Sequence, residues 1–412
     1  MDEMKKLLVI GYVWPEPKSS AAGTHIMSIM RLFKTNGYEV EFCTPCAHSI
    51  HMIDLEVEGI SSSSIELNDD SFDLYVKEFN PTIVLFDRFM MEEQFAWRVE
   101  KNCPNALKVL DTEDLQCLRN ARHQALKENR EMTKADLYSS DLAKREISAI
   151  LRCDISLIIS SFEMQLLKDT FKIDEVLLHH LPFMVELDKL PKVTKTYEER
   201  EHFMTIGNFR HAPNWDVVLY LQKIWQMIRK QLPNVQLHIY GSYPPQKATA
   251  LNNPKTGFLI KGWANDAYEV IENSRVCLAP IRFGAGIKGK LLDAMITQTP
   301  SATSSVGSEG MFTDETWPGF ISDDIEEFVN KAVELYNDEN KWNEAKQNSY
   351  VLLKAKYDKN VLGKALLKKV DEVYVNLEEH RLNNFTGSML RHHSMASTKY
   401  MSQWIAEKNK IK

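Results

Sequence analysis

Short apolar runs recur along the chain, each ending in a polar or glycine-containing turn and separated from the next by longer amphipathic stretches. In the first half, segments 7–12, 40–43, 81–86, 106–110, 154–160 and 175–181 read as strands. In the second half, 203–207, 235–240, 257–260, 276–280 and 319–321 do so. Runs apolar at successive positions fit strands covered on both faces, the condition of a parallel sheet. Between them Ile26, Ile29, Met30 and Phe33 fall at helical spacing, and residues 115–152 and 325–377 carry helical patterns. The polar span Ser61 to Ser64 reads as a loop. This alternation predicts an α/β protein with two doubly wound sheets. Ligands of such sheets bind outside the carboxyl ends of the strands.

The composition turns polar and proline-broken over residues 182–201, which places the domain boundary there. The predicted division is 1–190 for a first domain and 191–357 for a second. Segment 358–384 follows as a returning helical piece and 385–412 as a basic tail. A chain of 412 residues has room for two full cores. Its net charge of −7 argues against broad nucleic-acid binding. The N-terminal MDEMKKLLVIGYVW reads as a first strand with no signal peptide, and no run is long enough to span a membrane. Six cysteines form no disulfide framework, so a reducing, cytoplasmic setting is expected. Cys43 and Cys46 form a CxxC near His48 and His51, open to a metal or redox reading and to one of buried structural thiols.

The candidate chemistry concentrates in residues 275–311, RVCLAPIRFGAGIKGKLLDAMITQTPSATSSVGSEGM. Gly284, Gly286 and Gly289 let a ligand approach backbone amides. A helix starting near Ile287 would aim its positive end at that loop, with Lys288 and Lys290 adding charge. Ile287, Leu291, Ala294 and Met295 form the core stripe, leaving Lys290, Asp293 and Thr297 on the other side. The competing reading makes Lys290 and Asp293 a surface pair. Gly23 and the amides after it stand at another helix start, with Thr24 as the expected cap. Asp87, Arg88, Asp111 and Glu113 follow strand ends on the functional edge of the first sheet, where Asp111 and Asp114 are equally open to capping the next helix. Arg119, Arg122 and His123 read either as acceptor contacts or as a solvated helix face.

RFGAGIKGKLLDAM, with TSSVGSEGM downstream and IGNFRHAPNWD upstream, resembles the C-terminal half of family 4 glycosyltransferases over about residues 200–312. The resemblance implies the GT-B fold, with two Rossmann-like domains facing across a cleft: an acceptor-side domain at 1–190, with Asp87, Arg88 and Asp111 toward the acceptor, and a nucleotide-sugar-binding domain at 191–357. It implies transfer, with retention, of a sugar from a nucleotide-diphosphate sugar to an unidentified acceptor, with no metal or other cofactor. It places Asn208, Arg210, Gly284, Gly286, Lys288 and Lys290 around the donor diphosphate and Asp293 on the ribose. It also implies a last helix, at 358–378, crossing back to the first domain. Two departures stand out. The family's His-Asp-Leu after a strand matches Glu113-Asp114-Leu115, and the first of two glutamates seven residues apart is Ala285, the second being Asp293. Glu309 is the expected substitute carboxylate or, alternatively, a helix cap. Glu113, Arg210 and Lys290 are the expected catalytic set. The other readings are a nucleotide-sugar-binding protein without transfer and a GT-B epimerase or phosphorylase. From Arg381 onward six Lys or Arg face Glu407 alone, which leaves open contact with a membrane or partner and a packed terminal extension.

Overall fold

The computed structural model describes residues 5–191 and 193–410. Seven parallel strands build the first sheet: β1 Lys6–Ile10, β2 Glu39–Thr44, β3 Ser61–Ser64, β4 Ile83–Asp87, β5 Leu107–Asp111, β6 Ile155–Ile158 and β7 Leu178–His180. Their order is β3-β2-β1-β4-β5-β6-β7. Six more build the second: β8 Glu201–Ile206, β9 Leu237–Tyr240, β10 Phe258–Gly262, β11 Ser274–Ala279, β12 Ser301–Thr303 and β13 Gly319–Ile321, in the order β10-β9-β8-β11-β12-β13. Strands β4 and β5 are buried at every position. Helices cover both faces, which explains the unbroken apolar run of β4; β5 carries one buried lysine, Lys108, whose ammonium pairs with Glu100 at 2.8 Å.

Two elements depart from the expectation. Ser61–Ser64 is an edge strand paired with β2 and not a loop; a solvent-facing serine strand has no apolar signature to read. Residues 115–152 divide into helices Gln116–Lys127, Lys134–Tyr138 and Asp141–Arg152. The first is capped neither by Asp111 nor by Asp114. Glu146 accepts from the amides of Gln116 and Cys117 at 3.0 and 2.9 Å, and Glu163 accepts from Leu115 N at 2.9 Å.

The chain returns to the first domain after the second. Helix Lys359–Val375 lays Leu366, Val370 and Val373 into the core that holds Ile29, Leu32 and Phe33. The terminal segment is a helix, Phe385–Lys410, packed on helices Phe89–Asn102 and Asp141–Arg152. Met395, Ser402 and Ala406 are buried there, and Tyr400, Met401 and Trp404 face out. Among the described residues no helix is long and apolar enough to cross a membrane.

Candidate active site

The carboxyl edges of the two sheets face each other across a cleft of about 1950 Å³. Helix Ala21–Thr35 of the first domain and helix Gly289–Ile296 of the second both begin at this cleft. They approach so closely that a Cβ on Gly289 would lie 2.5 Å from Ala21 Cβ. Two positive helix ends therefore converge where an anion would sit. The helix Gly289–Ile296 starts two residues later than expected, with Lys288 at its cap. Its first amides, those of Gly289 and Lys290, have no carbonyl partner within the helix.

Lys290 and Asp293 lie on this helix, half-buried in the cleft wall. Among the described residues neither side chain has a hydrogen-bond or ion-pair partner, so they do not form the surface pair of the competing reading. Burial holds Lys290 down at a pKa of about 8 and pushes Asp293 up to about 7. An ammonium and a carboxylate left unpaired in a low-dielectric wall are groups for which a ligand supplies the partner. Thr297, placed by the wheel beside them, is buried, and its hydroxyl donates to the Asp293 carbonyl at 3.0 Å.

Further cations meet Lys290 from both domains. The Arg210 guanidinium stacks 3.6 Å above the Tyr243 ring and makes no ion pair. Its amide donates to Asn208 Oδ1 at 2.9 Å, and Asn208 in turn reaches Ser19 Oγ of the first domain at 3.3 Å. Arg119 pairs with Asp114 and lines the cleft. Desolvation in the cleft and then the nearby charges of Arg119, Lys290 and Arg88 lower the pKa of His211. Those charges converge on one place, which is electropositive although the whole chain is acidic.

The glycine loop is placed differently from the expectation. Gly286 N donates to Glu163 Oε1 of the first domain at 2.8 Å, so in this closed arrangement its amide faces a carboxylate of the protein. Lys288 is turned inward, donating to Gly286 O at 2.7 Å, and braces the loop. Gly284 O accepts from Arg122 at 2.9 Å. Arg122 also holds Glu309 through two bonds of 2.7 Å. Glu309 is therefore not on the cleft wall and does not replace the carboxylate missing at Ala285. His123 stacks on Phe283 of the second domain at 4.2 Å. Arg122 and His123 thus belong to a domain contact, not to a solvated face. Gly286 has φ +62, and a Cβ there would lie 2.8 Å from Asp114 Cβ. Gly286→Ala is expected to cost about 1–2 kcal/mol from the left-handed backbone alone. A lowered thermal transition would show it; an unchanged one would mean the loop is free to move off Asp114.

On the first-domain side the cleft is floored by Glu113 and Arg88, both at positive φ, 61° and 71°. Asp87 and Asp111, expected on the acceptor side, lie beneath them at 4% and 1% exposure and do not reach the cleft. Gly23 is also displaced. Its amide donates to Ser20 Oγ, the cap of its helix in place of Thr24, and a Cβ on it would strike the Glu16 backbone at 2.5 Å. It is a packing glycine. The CxxC is likewise divided: Cys43 is buried, with burial pushing its thiol pKa up, while His48 packs on Trp14 and His51 stacks on Trp263. Sequence reading missed Glu163 and His211. Glu163 follows a strand end by five residues, as Asp114 nearly does, and that position was its available signal.

Two parallel sheets set edge to edge, with a charged helix start in the cleft, define a GT-B protein. Residues 200–338, most of the second domain, match the model for Glycosyl transferases group 1. Over 172 residues the chain is 24% identical to an uncharacterized 44.6 kDa protein in the cps region of Klebsiella pneumoniae. That match spans 40% of this chain and 44% of the relative. Sucrose-phosphate synthase from Thermosynechococcus elongatus superposes with a TM-score of 0.67 at 14% identity, over 90% of this chain and 100% of its own. HepE from Anabaena, solved in complex with UDP and glucose, gives 0.66 at 10% identity, over 90% and 100%. A glycosyltransferase from Rickettsia africae gives 0.65 at 12%, over 90% and 98%.

Proposed function

We propose that this chain transfers a sugar from a nucleoside-diphosphate sugar, held mainly on the second domain, to an acceptor presented by the first, with retention at the anomeric carbon. The observation that carries the reading is the unpartnered pair Lys290 and Asp293 on a helix whose N-terminus opens into the interdomain cleft. Lys290, Arg210, Arg119 and the free amides of Gly289 and Lys290 would hold the diphosphate and stabilise charge as it leaves. Asp293, one turn further along the helix, would accept from the ribose hydroxyls. The occupied Gly286 amide becomes available to a phosphate only if the Glu163 contact opens, so donor binding is coupled to domain movement. HepE, a solved structure of the same fold, was captured with UDP and glucose, which supports a nucleotide-sugar donor.

The test is a thermal-shift screen of UDP, GDP, ADP, CMP and dTDP and their common sugars, followed by a transfer assay. One nucleotide series is expected to raise the melting transition, since a ligand at 100 times its Kd adds about 2.7 kcal/mol. No shift with any of them sinks the reading. A shift with neither transfer nor donor hydrolysis leaves a nucleotide-sugar-binding protein.

A further inference from the structure

Helix Phe385–Lys410 covers part of the first domain with one side and leaves the other to the surroundings. The inner side is firmly seated. Gly387, Met395, Ser402 and Ala406 are buried, Arg98 donates to Ser402 Oγ at 3.2 Å, and Asn384 and Arg391 donate to the carbonyls of Leu151 and Arg152 at 2.8 and 3.1 Å. A Cβ on Gly387 would lie 2.1 Å from Leu151 O, so the helix rests against its neighbour without a gap. The outer side carries Phe385, Met389, Tyr400 and Trp404, each between 46% and 70% exposed. At 100° per residue these four fall within an arc of about 100°, opposite the buried positions. A helix whose outer side met only water would carry polar residues there.

Lys399 and Lys408 stand at the two edges of this arc. Their ammonium groups lie 6.0 and 5.0 Å from the ring centres of Tyr400 and Trp404. Glu407, the one acid after Arg381, is answered by Lys410 at 2.7 Å. An apolar stripe with aromatic rings, edged by lysines, is the composition of a helix lying in the boundary between water and lipid. The rings sit at the level of the headgroups there, and lysine stems run beside them with the charge kept in water. We propose that this face docks flat on a membrane surface bearing anionic headgroups, with Phe385, Met389, Tyr400 and Trp404 entering the boundary layer and Lys399 and Lys408 meeting the headgroups. Charge complementarity selects such a surface over a second copy of the chain. From Arg381 on, six Lys or Arg stand against Glu407 alone in a chain whose net charge is −7. Two of these faces brought together repel, whereas anionic lipid offsets their charge. Because the helix is seated on the first domain, the contact sets that domain's outer face against the lipid. It draws on no residue of the cleft and stands apart from the glycosyltransfer reading.

The test is flotation of the full-length protein with phosphatidylcholine vesicles and with vesicles that also contain phosphatidylglycerol, over a range of salt. Wild type is expected to bind the second kind far better than the first and to let go as salt screens the lysines. Replacing Lys399 and Lys408 with glutamine weakens binding by about fivefold for each lysine. The pair Phe385→Ser and Trp404→Ser weakens it by about tenfold or more, through the apolar area lost to the boundary layer. Trp404→Phe keeps an aromatic ring and binds within about threefold of wild type. It removes the Trp404 share of the tryptophan quenching caused by brominated acyl chains, a readout that a change in folding stability does not imitate. These positions are exposed, so the variants are expected to melt with wild type. Absence of binding to the anionic vesicles, equal binding to both kinds, binding that the serine pair retains, or quenching that survives Trp404→Phe overturns the proposal. A wild type that sediments as a dimer, which the serine pair dissociates, overturns it too, since a second copy then covers this face.

Discussion

Replacing Lys290 with methionine is expected to lower turnover by about 10²–10³-fold, the loss typical of removing one preorganised group from a developing oxyanion, while leaving the chain folded. Lys290 is the one cleft cation on the donor helix with no protein partner, and it stands beside free amides of that helix's first turn. The diphosphate needs its ammonium form. Burial holds the group at a pKa of about 8, so the Lys290 contribution to donor affinity should be constant below that pH and fall by up to about tenfold per pH unit above it. The bound diphosphate favours the charged form, which moves the fall upward in the complex. Lys290→Met should remove the alkaline limb of nucleoside-diphosphate binding together with most of the affinity. Folding responds in the opposite sense. The folded pKa lies below the ordinary 10.5, so between the two values the unfolded chain binds more protons and stability rises with pH. At neutral pH the buried ammonium opposes folding, and Lys290→Met should melt no lower than wild type. Calorimetry beside titration of the nucleotide decides it. A variant that binds donor normally would move the diphosphate away from this helix, and one that melts early would make Lys290 structural.

How much of this site could be read from the sequence follows from how local each signal is. The strands and the donor helix were legible because a buried strand announces itself in four or five consecutive residues and a glycine loop before an amphipathic helix in a dozen. Lys290 and Asp293 came with that helix, through the 100° wheel. What escaped was set by pairing across long separations. Glu163 takes the Gly286 amide from 123 residues away, and Arg122 takes Glu309 from 187. Nothing near Gly286 or Glu309 in the chain signals those partners. Lys288 and Gly23 were placed at the ligand because each stands at a helix start, which gives direction and not depth: the Lys288 ammonium folds back on its own loop, and Gly23 is packed against Glu16. Ser61–Ser64 shows the converse, a strand made by its neighbour with no hydrophobic pattern of its own. The helical form of the tail was hidden for a related reason, since its buried positions Gly387, Met395, Ser402 and Ala406 are too sparse a stripe to stand out.

Removing the Arg381 guanidinium should unfold the first domain earlier, by about 3–5 kcal/mol, because it strands a buried carboxylate. Asp154 is 1% exposed at the start of β6. Arg381 Nε and Nη2 donate to its two oxygens at 2.8 and 2.7 Å, and the same guanidinium donates to the carbonyls of Pro104 and Ala106 at 2.6 and 2.7 Å. One side chain from helix Leu377–Asn383 thus ties the returning C-terminal segment to the edge of the first sheet. Burial opposes ionisation of Asp154, but hydrogen bonds from Arg381 and the charge of Lys108 outweigh it and hold its pKa below the usual 3.8. The wild-type contribution is therefore present above the ordinary carboxylate range and lost as pH falls through the lowered value. In Arg381→Met only the Lys108 amide, at 2.8 Å, still donates to the carboxylate, and burial raises its pKa. The deficit should be full at neutral pH and shrink in acid, where a protonated Asp154 tolerates the interior. Pairing Arg381→Met with Asp154→Asn should restore part of the loss, since the double variant has no charge left to bury. Nucleoside-diphosphate affinity should not change at temperatures where the variant is folded, because neither Arg381 nor Asp154 lines the cleft. A loss under about 1 kcal/mol would rank the pair with exposed ion pairs. A deficit that grows in acid would mean that packing of the last two helices, and not the Asp154 charge, is what Arg381 secures.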